Sequence, residues 1–244
     1  MRPTGEPHGR QMTPACSWGG CLAQSLPSFY VSGETGSPAL YTDAKTAVFP
    51  EGDPMAEPRL RRWTSAEVEK LDDQDGWIRY EIIDGELYVS HAASDDHQDA
   101  AMRTSGYLFI WNEQTVLGLV MQAPGLIFDD ENNTIPDVVW VSRERRARIE
   151  QARDRKLHDG PELIVEVLSP GAENERRDRE IKLALYARRN VDEYWILDIP
   201  ARTVSVYRRQ GAELVLVARL GAGATLTSPH LPGFQVDVTR LFPE

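Results

Sequence analysis

Seven residues, ELIVEVL at 162–168, constrain this chain more than any other stretch. Side chains alternate along a strand, so Ile164, Glu166 and Leu168 share one face while Leu163, Val165 and Val167 share the other. Both faces are apolar, which marks a strand covered on both sides in the interior of a layered domain. Glu166 is therefore a carboxylate set into a core. A charge there costs several kcal/mol unless a cation or a donor compensates it. The rest of the sequence has to supply that partner.

A second acid opens a second apolar run. Pro136 and Asp137 precede the apolar residues 138–141, and Asp137 shares its face with Val139 and Val141. Two carboxylates on neighbouring strands repel one another unless a divalent ion lies between them. Mg²⁺ is usually held by one or two carboxylates, with waters and substrate phosphate oxygens completing its shell. In that position it polarises a phosphodiester and lowers the pKa of a bound water. An amine is close in sequence: Lys182 falls on a helix-like segment, 178–189, whose apolar stripe is Ile181, Ala184 and Leu185. At about 100° round from Ile181, Lys182 is expected at the border between buried and wet. From there it can orient a water or offset charge on a phosphate. Tyr186 follows four residues later on the same side. Each residue also has a plainer reading: Asp137 capping a turn, Glu166 paired with an arginine, Lys182 on a solvated helix face. Taken together, the three fit a metal-dependent phosphodiester hydrolase.

The remaining chain reads as an α+β or α/β domain with a mixed central sheet. Thr64 and Glu67 form a capping box ahead of a short helix, 66–71. Asp84-Gly85 between two β-rich runs, within 79–90, signals a hairpin, because both turn residues need positive φ. Ser94 caps a helix from about residue 95 to 113, and strands follow at 117–122, 126–129 and 135–141, with 129–133 as a polar turn. Residues 143–156 carry seven basic against three acidic residues, either a solvated connecting helix or a phosphate-facing flank. A helix over 174–189 and strands at 193–199, 203–208 and 213–219 complete the pattern, with short strand and turn in 225–241.

Bulk properties bound the function. The 244 residues, 41% hydrophobic and 27% charged, suit one globular domain with some extra chain. Residues 1–58 are rich in Gly, Pro, Ser and Thr and read as a disordered or loosely attached extension, leaving 59–244 as the folded domain. A formal charge of −11 argues against a protein that coats DNA nonspecifically. It leaves room for an enzyme that grips DNA locally, since carboxylates that hold a metal also count as negative. Cys16 and Cys21 lack the companion ligands of a zinc site, and without a disulfide framework the chain is expected in the cytoplasm. No run suits a membrane span, and the first residues lack the apolar core of a signal peptide.

Several of these stretches resemble one family in order: YEIIDGELYVS, His97, IPDVVWVS, PELIVEVLSP and DREIKLALYARRNVDEYWILD. They are similar to the Uma-type "putative restriction endonuclease" domains of bacteria, within the PD-(D/E)xK nuclease superfamily. The resemblance runs from Trp63 to Phe242. It implies a restriction endonuclease-like core, a mixed sheet flanked by helices, and Mg²⁺-dependent cleavage of DNA, with Mn²⁺ as an alternative ion. Asp137 matches the motif aspartate and Glu166 the motif (D/E). The superfamily lysine usually stands two residues after the latter, where this chain has Leu168; Lys182 matches the position to which the Uma-type proteins move it. Glu81 matches a recurrent acid, with Glu86 as its weaker rival. His97 matches a recurrent histidine, read here as a structural hydrogen-bonder. The implied set is thus Glu81, Asp137, Glu166 and Lys182, with Asp137 and Glu166 as metal ligands. Many nucleases of this fold pair as homodimers to cut two strands. Two rival readings stay open: a catalytically inactive nuclease-like module for DNA or protein interaction, and a different hydrolase or metal-binding enzyme on the same scaffold.

Overall fold

The structure is a computed structural model that describes residues 47–48, 59–71, 78–149 and 156–244. The expectations for the N-terminal extension and for Cys16 and Cys21 lie outside the described residues. Strands β1 (Ala47–Val48) and β2 (Arg59–Leu60) pair antiparallel. Helix α1 (Ser65–Val68) carries the expected capping box, with the Thr64 amide and hydroxyl donating to Glu67 Oε2 at 2.9 and 3.0 Å. The hairpin of β3 (Arg79–Ile83) and β4 (Glu86–Ser90) turns at Asp84 and Gly85, whose φ angles of 51° and 77° suit the local turn chemistry.

Next come α2 (Asp95–Thr115), β5 (Gly118–Gln122), β6 (Leu126–Asp129), β7 (Asn132–Thr134), β8 (Val138–Ser142), α3 (Arg143–Ile149) and β9 (Leu163–Val167). A helical stretch follows in three parts: α4 (Ala172–Arg176), a π-helical segment (Arg177–Lys182) and α5 (Leu183–Arg188). The chain ends with β10 (Glu193–Asp198), β11 (Thr203–Gln210), β12 (Glu213–Leu220), the short pair β13 (Thr225–Leu226) and β14 (Val236–Asp237), and a 3₁₀ turn (Val238–Leu241).

The central sheet has the order β12-β11-β10-β9-β8-β5, with β9 and β10 parallel and the other neighbours antiparallel. A second sheet has the order β4-β3-β7-β6. The alternation read from β9 holds. Leu163, Val165 and Val167 pack with Leu108, Trp111 and Trp195 on one side. On the other, Ile164 and Leu168 pack with Leu185, Tyr186 and Tyr194. Glu166 faces this second side.

Three local expectations give way to tertiary contacts. The polar stretch 129–133 is not all turn, because Asn132 begins β7, and Asn133 pairs with Ile82. Asn132 is held by Asp129 Oδ1 at 2.8 Å while its own Oδ1 accepts from the Asp84 amide at 3.0 Å, so side-chain bonds outweigh poor strand propensity. The helix read as 174–189 contains the π segment. The helix starting at Arg143 is described only to Ile149. It leaves the end of β8 remote from Asp137, about 20 Å along the strand, so its arginines do not flank the acids.

Candidate active site

Glu81 on β3, Asp137 at the entrance to β8, Glu166 on β9 and Lys182 at the end of the π segment all line one cavity of about 340 Å³. The structure thus brings the four sequence-derived residues together. All are buried, Lys182 to 2% exposure. The border position expected for Lys182 is corrected. A π turn takes one residue more than an α turn and shifts the register by about 100°, so a stripe read from α-helical spacing does not apply. The Tyr194 hydroxyl donates to the Asp178 carbonyl at 3.0 Å, giving this irregular backbone a partner.

Lys182 Nζ stands 2.9 Å from Glu81 Oε1, 2.9 Å from Glu166 Oε1 and 3.6 Å from Asp178 Oδ1. Glu166 Oε1 also accepts from the Tyr186 hydroxyl at 3.0 Å, and Glu81 Oε1 from the Ile135 amide at 2.8 Å. Glu166 is therefore paired with a lysine and a tyrosine, and not with an arginine. Asp137 Oδ2 accepts from the Val167 amide at 2.8 Å, which ties it to the strand that carries Glu166. His97 Nε2 lies 3.2 Å from the same oxygen and 2.9 Å from the Val167 carbonyl. Both neighbours are acceptors, so Nε2 carries the proton. Arg79 Nη1 is 3.7 Å from Asp137 Oδ1.

Sequence reasoning missed three contributors. Asp178 is 2% exposed, and Arg177 Nε lies 3.3 Å from its Oδ1. Its spacing of four residues from Lys182 was the available signal, since such residues share a helix face. Arg79 and Arg177 could be found only through the fold. His97, read as a structural hydrogen-bonder, bonds to the β9 backbone as expected and also touches Asp137. Glu86 is exposed and lines a separate cleft with Tyr88 and Arg176.

The charges do not balance pairwise. Burial opposes the charge on Lys182, yet Glu166, Glu81 and Asp178 raise its pKa well above the usual range, and it stays charged. One amine serves three acids. Burial pushes Glu166 up to about 8, against the pull of Lys182 and with Asp137, Asp178 and Glu81 adding to the rise. Burial also raises Asp178, with Lys182 and Arg177 opposing. At Asp137 burial works upward, but the hydrogen bond and charge of His97 and the Val167 amide outweigh it and lower the pKa. Burial disfavours the His97 cation, but the bond to Asp137 and its charge prevail and raise the pKa. Without a further cation, burial favours the protonated form of Glu166, and acts in the same direction on Asp178. Glu166 Oε1 already accepts two donors, so the Glu166 proton belongs on Oε2.

Four carboxylates about one cavity are hard oxygen donors, the donor chemistry of a divalent cation of the Mg²⁺ type. Among the described residues, no group of three or more His, Cys, Asp or Glu is arranged to hold a metal.

A mixed sheet flanked by helices, with acids from β9, from the entrance to β8 and from β3 of the second sheet meeting a lysine of the helical stretch in one cavity, defines the restriction endonuclease-like class. The profile of the Uma2 family, described as "Putative restriction endonuclease", matches residues 65–239, and the chain belongs to that family. Its fold is similar to a crystal structure described as a putative nuclease belonging to DUF820 from Anabaena variabilis ATCC 29413. The TM-score is 0.58 at 16% sequence identity, covering 73% of this chain and 97% of that one. No curated protein matches the chain. None of the described helices is long and apolar enough to cross a membrane.

Proposed function

We propose that this chain is a DNA endonuclease that hydrolyses phosphodiester bonds with a divalent cation, Mg²⁺ or in its place Mn²⁺. The observation that carries the reading is the convergence of Glu81, Glu166 and Asp178 on Lys182, in the cavity that Asp137 also lines. Asp137 and Glu166 would hold the ion. Bound there, the ion supplies Lewis acidity toward a phosphoryl oxygen and a lowered pKa for water.

The chain's own groups do the rest. Val167 N–H and His97 fix Asp137 through Oδ2 and leave Oδ1 toward Arg79 and the cavity. Glu166 would hold the ion in its ionised form through Oε2, since Oε1 already accepts from Lys182 and Tyr186. Lys182, with its raised pKa, remains an ammonium and so serves as a fixed positive charge and donor, not as a base. Glu81 anchors that amine from β3 of the second sheet and completes the acidic cluster. Arg79 and Arg177 add positive charge against the phosphodiester, which the net charge of −11 otherwise disfavours.

A plasmid-nicking assay with and without EDTA tests this directly. Asp137→Ala or Glu166→Ala should abolish metal-dependent nicking while circular dichroism shows the fold intact. Unchanged nicking in both variants would remove these residues from the mechanism. Metal uptake without nicking, together with retained DNA binding, would favour the inactive nuclease-like module, which the net acidity also suits.

A further inference from the structure

Helix α2 is apolar on two faces. Its inner face buries Ala101, Leu108 and Trp111 against the sheet, as the helical spacing requires. Its outer face exposes Met102 at 58%, Phe109 at 54% and Ile110 at 58%, with Leu117 just beyond the helix at 43%. Met102, Phe109 and Ile110 follow the same helical spacing as Asp95, Asp99, Gly106 and Glu113, so these seven lie in one outward stripe.

Gly106 is in the middle of the stripe. A glycine inside a helix costs about 1 kcal/mol relative to alanine, yet a Cβ at this position meets nothing within 4 Å. No contact within the described structure requires it. What glycine permits is the close approach of another backbone from outside. The two ends of the stripe differ in charge. Asp95 and Asp96 occupy the first turn. At the other end a cleft of about 320 Å³ brings Arg143 and Arg146 beside Phe109 and Val116.

We propose that this face of α2 binds a second copy of the same chain, the two helices packing antiparallel about a two-fold axis at Gly106. The stripe is self-complementary in that arrangement, as an isologous contact demands. Met102 of one copy meets Ile110 of the other. The acidic first turn of each helix approaches the Arg143 and Arg146 cleft of its mate. Glu113 comes near Asp99 of the second copy, whose charge is already met by Arg103 Nε at 2.6 Å. Contact along one helix of 21 residues is a small interface, so a dissociation constant in the micromolar range is expected.

Sedimentation velocity on the full chain, with neither DNA nor metal present, tests the proposal independently of any nuclease activity. A dimer is expected at tens of micromolar, weakened at least about tenfold by Ile110→Glu. Copies carrying Asp95→Arg and Asp96→Arg should each fail to self-associate and should recover a heterodimer when mixed with copies carrying Arg143→Glu and Arg146→Glu. Gly106→Cys should give a disulfide-linked dimer on mild oxidation. A monomer throughout that range overturns the proposal, as does a dimer that survives Ile110→Glu. A monomer whose introduced thiol resists a maleimide also overturns it, and assigns the face to another segment of this chain. A face that captures only unrelated proteins while the chain stays monomeric overturns it too.

Discussion

Glu166→Gln should flatten the pH dependence of the metal-free protein's stability. The carboxyl titrates at its ordinary value of 4.5 when unfolded and at about 8 in the fold, where burial dominates. Between those values the folded protein holds a proton that the unfolded chain has released. Linkage then requires stability to fall as pH rises through that window. At about 1.4 kcal/mol per pH unit the full excursion is roughly 5 kcal/mol. Asp178 is raised as well and lies at the same amine, so the two titrations interact and the part that glutamine removes is smaller, about 2–3 kcal/mol. For a chain of this size each kcal/mol moves Tm by roughly 2–4 °C. Glutamine keeps an oxygen for Lys182 and Tyr186 and has no proton to lose. His97 acts in the same direction at the upper end: its raised pKa gives stability below the ordinary value of 6.5 that disappears as pH rises through the folded value. That contribution is common to both proteins and cancels in the comparison. Thermal unfolding in EDTA at pH 5, 6.5 and 8 measures the difference. The reasoning is refuted if wild type is as stable at pH 8 as at pH 5, or if the variant shows the same slope.

Lys182→Met removes the amine shared by three buried acids and should cost about 3–5 kcal/mol at neutral pH. Lowering the pH should recover part of this as the acids protonate, which a urea titration at two pH values would show. Tyr186→Phe deletes one donor to Glu166 and should cost about 1–3 kcal/mol by the same measurement, with a still higher Glu166 pKa. Gly118→Ala places a Cβ 2.3 Å from the Val141 carbonyl and 2.7 Å from the Trp140 ring, so it should destabilise by at least about 1–3 kcal/mol in denaturant unfolding.

Much of the site was legible because local rules govern its parts. Alternation along β9 assigned Glu166 to a buried face before any packing was known. Turn chemistry located the hairpin after Glu81, and Ser94 marked the start of α2, where its side chain accepts from the His97 amide. The place of Lys182 on the helix after β9 singled it out, and the family likeness matched that choice where Leu168 holds the superfamily's usual lysine position. Asp178 was missed although its spacing from Lys182 was visible, because the same spacing on a solvated helix means nothing.

By itself, the sequence determined which residues face a core, where the chain turns and which acids need a partner. These depend on periods of two and 3.6 residues and on the φ angles that short turns demand. Only the tertiary structure decided that the π segment turns Lys182 fully inward, that β7 forms from a polar stretch, and that Arg143 and its neighbours lie far from the acids. Those outcomes depend on pairings between segments distant in the chain, whose energies no local pattern contains. Glu81 and Lys182 are about a hundred residues apart in sequence, and only the pairing of sheet and helix puts the one within 2.9 Å of the other.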